Sequence, residues 1–361
     1  MVSRRQLLIA LSAFARPSRS RAATALPAGT VSFIDPATEF RLFRLTDPKF
    51  ASHLPGYQGV FVSKHASFLL FSSDRGGALQ PYRLDIKRGE CTQIAEADGL
   101  HPEGIVLAPD EKNFYYLDNG GLYRGSLSHG RSRQVYGIAS GWEAGYGLGL
   151  SPDGLYAALI EKRGGQYRIR LIATGRGTAV TLVEAGEELS LPSPRPKRAG
   201  VLYRRAPGSL WLVNFDGAGN HKLAAASDTL GPAFWSRDGR AVEYLDFPSD
   251  RTRPRAIREF AADFNRDALV ANTSQYAHFG ANGDGSVFVG ASASKVSPYV
   301  LLMLRSTRRE LTICEHRASD PSLVSPVFSP DSQRVFFQSD KEGKMAIYMM
   351  NVERLVEETD E

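Results

Sequence analysis

The sequence predicts an all-β protein, a seven-bladed β-propeller closed by an N-terminal strand, and three observations carry that expectation. A turn of the Ser-Pro-Asp-Gly type recurs at a spacing of roughly 42 to 47 residues, the length of one four-stranded blade. A short apolar strand follows every copy. The last unit lacks room for a fourth strand, and a segment near the N-terminus has the composition to supply one.

The turn stands as Ala108-Pro109-Asp110, Ser151-Pro152-Asp153-Gly154, Ser236-Arg237-Asp238-Gly239, Asn282-Gly283-Asp284-Gly285 and Ser329-Pro330-Asp331-Ser332. Degenerate copies at Ser63-Lys64-His65-Ala66 and Ser193-Pro194-Arg195-Pro196 fill the two gaps. The strands that follow read as buried: Phe68-Leu69-Leu70-Phe71, Phe114-Tyr115-Tyr116-Leu117, Tyr156-Ala157-Ala158-Leu159, Val201-Leu202-Tyr203, Val242-Glu243-Tyr244-Leu245, Val287-Phe288-Val289 and Val335-Phe336-Phe337. Third strands such as Tyr82 to Asp85, Leu210 to Asn214 and Ala346 to Met349 come next. Glu39 to Thr46 is the expected closing strand, which would leave the ring without an exposed edge. The propeller is expected over residues 30–355, with an acidic tail at 356–361.

Residues 1–25 read as an export signal of the twin-arginine kind: Ser3-Arg4-Arg5, an apolar run from Leu7 to Ala15, and small residues at Ala23-Thr24-Ala25. The expected location is therefore periplasmic or secreted. That segment holds five arginines and no acid; removing them from 44 basic residues leaves 39 to face 39 acids. A near-neutral mature chain gives no support to a nucleic-acid partner. No stretch reaches the ~20 apolar residues of a membrane span. Cys91 and Cys314 fall near the ends of outer strands in blades that are not neighbours, so two free or buried thiols are expected.

Several motifs carry a family resemblance: Phe40-Arg-Leu-Phe-Arg-Leu-Thr-Asp47, Phe71-Ser-Ser-Asp-Arg-Gly-Gly77, Leu210-Trp-Leu-Val-Asn-Phe-Asp-Gly217, Phe234-Trp-Ser-Arg-Asp-Gly239, Tyr276-Ala-His278-Phe279, and Ser329-Pro-Asp-Ser-Gln-Arg-Val-Phe-Phe-Gln-Ser-Asp340. The chain resembles the oligogalacturonate lyases, propellers of pectin breakdown, and more distantly propellers of the TolB type. The resemblance implies β-elimination across a uronate ring, with manganese or another divalent cation binding the carboxylate and a basic residue taking the proton. It places His278 at a metal-binding histidine and Asp320 near a metal-binding glutamine. It also shows departures. The family's His-x-His-Pro pair falls on Leu323-Val324-Ser325-Pro326, its Gly-His-Glu-Phe-Trp motif on Gly231-Pro232-Ala233-Phe234-Trp235, and its catalytic arginine on or beside Ser209.

Other residues suit an anionic oligosaccharide by their own chemistry. Arg204 and Arg205, and the run Arg251, Arg253 and Arg255 with Arg258, offer guanidinium forks that match carboxylates. Tyr57, Trp142, Tyr146, Trp235 and Tyr276 fall in segments leading into blades, where an aromatic face can stack on a sugar or pack in the core. His53 and His101 lie in similar loops, and His316 at a blade edge. Two functions from different classes stay open: an exported lyase-like propeller that binds and cleaves oligogalacturonate, or a non-catalytic propeller that holds a protein partner on one face. A third option is another lyase or a hydrolase using Asp320, Tyr276 and an arginine.

Overall fold

The computed structural model describes residues 26–356 apart from 129, 228 and 251. The expected export signal, Arg251 and the tail beyond 356 lie outside the described residues.

Seven antiparallel sheets follow one another around a ring. From the hub outward, blade 1 comprises Ser52–His53, Phe68–Ser73, Gln80–Asp85 and Glu90–Gln93; blade 2, Ile105–Leu107, Asn113–Asp118, Gly121–Ser126 and Ser132–Gly137. Blade 3 is Glu143–Leu150, Tyr156–Arg163, Gln166–Ala173 and Ala179–Ala185; blade 4 is Leu189–Pro194, Gly200–Arg205, Ser209–Asn214 and His221–Lys222. Blade 5 is Leu230–Trp235, Ala241–Asp246, Ala256–Ala261 and Arg266–Asn272; blade 6 is Tyr276–Ala281, Val287–Ser292, Tyr299–Leu304 and Arg309–Glu315. Blade 7 is Val327–Phe328, Arg334–Ser339 and Ala346–Asn351, completed from the other end of the chain by Arg41–Arg44.

The recurring turn is stable for a local reason. In blade 3 the Asp153 carboxylate accepts from the Ser151 hydroxyl (2.6 Å) and the Leu155 amide (2.9 Å), while Ser151 Oγ accepts from the Tyr156 amide (2.9 Å). Gly154 takes the left-handed conformation at φ +73° that closes the hairpin. The same Ser-to-Asp bond recurs at Ser236/Asp238 and Ser329/Asp331. Second strands are packed on both faces by neighbouring blades, so Phe68–Ser73, Ala241–Asp246 and Val287–Ser292 are buried at every position. Each large apolar side chain so buried contributes roughly 1.5–3 kcal/mol.

Ring closure occurs as expected: Leu42 pairs with Met350, Phe43 with Met349 and Arg44 with Tyr348. The N-terminal stretch does more than close the ring. Val31–Ile34 adds a fifth strand outside Arg41–Arg44, and Leu26–Pro27 pairs with Glu90 and Cys91 on blade 1. Blades 7 and 1 are thus strapped together by one segment, and strand pairing begins at Leu26, ahead of the expected residue 30. Cys91 and Cys314 are buried and unbridged, in blades 1 and 6. A short helix, Glu353–Val356, ends the described chain. Among the described residues no helix is long and apolar enough to cross a membrane.

Candidate functional site at the hub mouth

Blade 1 has a broken inner strand, and the break builds the site. Ser52–His53 pairs with Ser72 and Ser73, the chain leaves the sheet at Leu54, and it returns at Val62, which bridges to Leu69. The excursion is Pro- and Gly-rich, Leu54-Pro-Gly-Tyr-Gln-Gly-Val60, and cannot continue a ladder. It crosses the hub instead. The Leu54 amide donates to Gln338 Oε1 of blade 7 (2.7 Å), and the Gly56 amide to the Glu103 carbonyl ahead of blade 2 (3.1 Å). On blade 5 the Ala233 amide donates to the Tyr57 phenol oxygen (3.3 Å), and Gln58 Nε2 donates to the Ala233 carbonyl (2.9 Å).

Tyr57 covers His278, its ring edge-to-face on the imidazole with centroids 4.7 Å apart. His278 is 5% exposed; its Nε2 lies 3.4 Å from Ser325 Oγ, and its Nδ1 has no partner among the described residues. Burial pushes its pKa down to about 3, so the imidazole is neutral. Beside Tyr57, the Tyr146 hydroxyl of blade 3 donates to Glu103 Oε2, and the His101 ring lies 5.8 Å from Tyr146. Burial raises the Glu103 pKa against the opposing hydrogen bond from Tyr146. Burial and the Glu103 charge together raise that of Tyr146 far above neutrality, so the phenol keeps its proton. Burial also raises the Tyr57 phenol, opposed by the Arg204 guanidinium. Arg204 itself reaches from blade 4 to the Leu230 carbonyl (2.7 Å) and the Gly231 carbonyl. The mouth therefore gathers Tyr57, Glu103, Tyr146, Arg204 and His278, each from a different blade or its leading loop. Half-exposed Tyr146 and the Glu103 carboxyl offer acceptor oxygens to sugar hydroxyls, and Arg204 supplies positive charge.

The remaining expected site residues are placed elsewhere. Arg205 pairs with Glu187 (2.7 Å) and lies over the Trp211 ring (4.8 Å). Trp235 donates from Nε1 to the Ser193 carbonyl (3.1 Å) and carries Arg195 over its ring, locking blade 4 to blade 5. Tyr276 is fully buried in the core between blades 5 and 6. Arg253 lies 3.7 Å from Asp246 on the rim, and Arg258 pairs with Asp267 (2.7 Å). His316 is buried with Nε2 on the Ser292 carbonyl (3.1 Å), and Trp142 lies under Arg168 and Arg163. His53 sits beside the break in blade 1, where burial lowers its pKa. The sequence reading did not single out Glu103 or Gln338. The Pro102-Glu103-Gly104 turn, placed like Pro55-Gly56-Tyr57, was the available signal for the first.

A manganese ion does not fit the donors present. It needs several N or O ligands converging on one point. His278 meets only a serine hydroxyl, and Asp320 caps a turn, accepting from the Ser322 amide (2.9 Å) and hydroxyl (2.7 Å). Among the described residues no three His, Cys, Asp or Glu side chains converge as a metal site.

The sequence model described as oligogalacturonate lyase matches residues 23–155. An oligogalacturonide lyase of Pectobacterium atrosepticum is 25% identical over 372 residues, covering 89% of this chain and 95% of that protein. An oligogalacturonate lyase of Dickeya dadantii is 23% identical with the same coverage. A solved oligogalacturonate lyase in complex with manganese shares the fold, with a TM-score of 0.85 at 22% identity, covering 91% of this chain and 97% of the other. With its seven blades, its strand closure and these relatives aligned along nearly its whole length, the chain is similar in sequence and in fold to the oligogalacturonate lyases.

Proposed function

We propose that this protein is an exported propeller that binds an acidic oligosaccharide of the oligogalacturonate type at its hub mouth, without a manganese-dependent elimination at His278. The observation that carries the reading is the convergence of Tyr57, Glu103, Tyr146 and Arg204 on one face of a distant lyase homologue. The second half of the reading rests on the donor set around His278, which offers one imidazole and a hydroxyl where a metal needs more.

Calorimetric titration with oligogalacturonate tests the binding, and the absorbance of an unsaturated uronate product, followed with and without added manganese, tests the chemistry. Binding without product is the expected result. Product that depends on manganese would sink the metal-free half, and absence of binding would sink the proposal itself. Tyr146→Phe removes a hydroxyl from the mouth and is expected to weaken binding by about 0.5–1.5 kcal/mol. Export is tested by fractionating cells that express the full chain.

One feature favours a second reading, a non-catalytic face for a protein partner: the 54–60 loop crosses the hub over His278 and leaves Val60 57% exposed. Oligogalacturonate that leaves the melting temperature unmoved, together with a partner lost on Val60→Asp, would favour it.

A further inference from the structure

A cleft of about 1160 Å³ opens between blades 5 and 6, and its wall residue Phe247 packs against Gly231, whose carbonyl accepts from Arg204 at the hub mouth. Its walls come from the loop between the second and third strands of blade 5, the segment joining blade 5 to blade 6, and the corresponding loop of blade 6. The lining is polar and hydroxyl-rich, with Ser249, Thr252, Ser294 and Ser297 beside the Phe247 and Tyr299 rings. Arg255 is the charged centre. Its Nη1 donates to the Tyr276 carbonyl (2.8 Å), and its guanidinium lies 4.4 Å from the Phe247 ring centroid. Those two contacts fix the plane of the fork. Among the described residues Nε and Nη2 have no partner, and none of the described carboxylates lies within ion-pair distance of the group. Burial opposes its charge, as expected of a guanidinium without an acid beside it. At the cleft edge Gln275, a non-glycine residue, holds the left-handed conformation at φ +60°.

We propose that this cleft is a second binding site for an acidic sugar unit, whose carboxylate is taken by the free edge of Arg255 and whose ring packs against Phe247 or Tyr299. An oriented half-buried guanidinium matches a carboxylate through two parallel hydrogen bonds, and the serine and threonine hydroxyls suit sugar oxygens. This rests on the reading of the ligand as an acidic oligosaccharide, and extends it from the mouth to the inter-blade surface.

The test compares wild type, Arg255→Gln, Ser297→Trp and Tyr146→Phe by calorimetry with hexagalacturonate, and by NMR titration with monomeric galacturonate and neutral galactose. Ser297→Trp fills the cleft and leaves Arg255 in place, which guards against a fold defect in Arg255→Gln. The expected result is that galacturonate binds and galactose does not, and that both cleft variants weaken galacturonate about tenfold or more while Tyr146→Phe still binds it. Hexagalacturonate bound at wild-type strength by both cleft variants but weakened by Tyr146→Phe would overturn the cleft and leave the mouth reading standing. Galacturonate bound through Arg255 with no effect of Tyr146→Phe on the hexamer would remove the mouth and keep the cleft. Failure of wild type to bind either acid would overturn both.

Discussion

At the residue scale, close packing sets what each site tolerates. Gly290 faces Tyr276 across the first two strands of blade 6, where an added Cβ would lie 2.1 Å from the tyrosine ring. Overpacking of this kind costs about 1–3 kcal/mol, so Gly290→Ala is expected to lower unfolding free energy by at least that range in denaturant titration. Tyr276→Ala should cost less in the Gly290→Ala background than in wild type, because the two changes share one contact. His278 gives a pH signature. Its pKa is about 3 in the fold and near the ordinary 6.5 when unfolded. The neutral imidazole therefore contributes stability that is present above pH 6.5 and is lost as pH falls toward 3. Between those limits wild type should lose stability relative to His278→Gln, and equal pH slopes would show that the imidazole is not held neutral.

At the scale of elements, blades 5 and 6 share a buried acid. Glu243, in the second strand of blade 5, is 3% exposed and lies 3.5 Å from Arg305, which also holds Glu259 at 2.6 Å. Burial raises its pKa to about 7; Arg305 opposes the shift, while Glu259 and Asp238 add to it. Because the folded state binds this proton more tightly than the unfolded chain, its contribution is largest below pH 4.5 and declines as pH rises to 7. The loss amounts to at most roughly 3 kcal/mol. Glu243→Gln should remove that decline, measured as unfolding free energy at successive pH values. Between pH 4.5 and 6.5 the Glu243 and His278 slopes have opposite sign, so wild type should be flatter there than either variant.

At the scale of the whole molecule, closure decides whether the ring holds. Leu42 is fully buried in the core of blade 7, and Leu42→Ala is expected to cost about 2–5 kcal/mol. A chain started after residue 46 loses the strand that covers Ala346–Asn351 and the strap onto blade 1. It should self-associate through the bared edge, which size-exclusion chromatography with light scattering would detect. A monomeric truncated ring would show that closure does not protect that edge.

The blade count, the turns and the closing strand were legible in the sequence because each is a local pattern: a Ser-to-Asp turn bond, an apolar run, a missing strand and its matching segment. The strap of Val31–Ile34 and Leu26–Pro27 was not legible, since two short pairings carry no periodicity. The site was legible in part, and Arg204, His278, Tyr57 and Tyr146 stood among the residues singled out. Which of them face the hub was decided by the tertiary structure, for two physical reasons. Successive side chains of an inner strand point to opposite faces of its sheet, and the register breaks between Ser190 and Ser193, Leu230 and Ala233, and Tyr276 and His278 shift that alternation. Tyr276 thereby enters the core while His278 meets Tyr57. The second reason is distance along the chain: Tyr57 reaches Ala233 across 176 residues through bonds that exist only once the ring has closed.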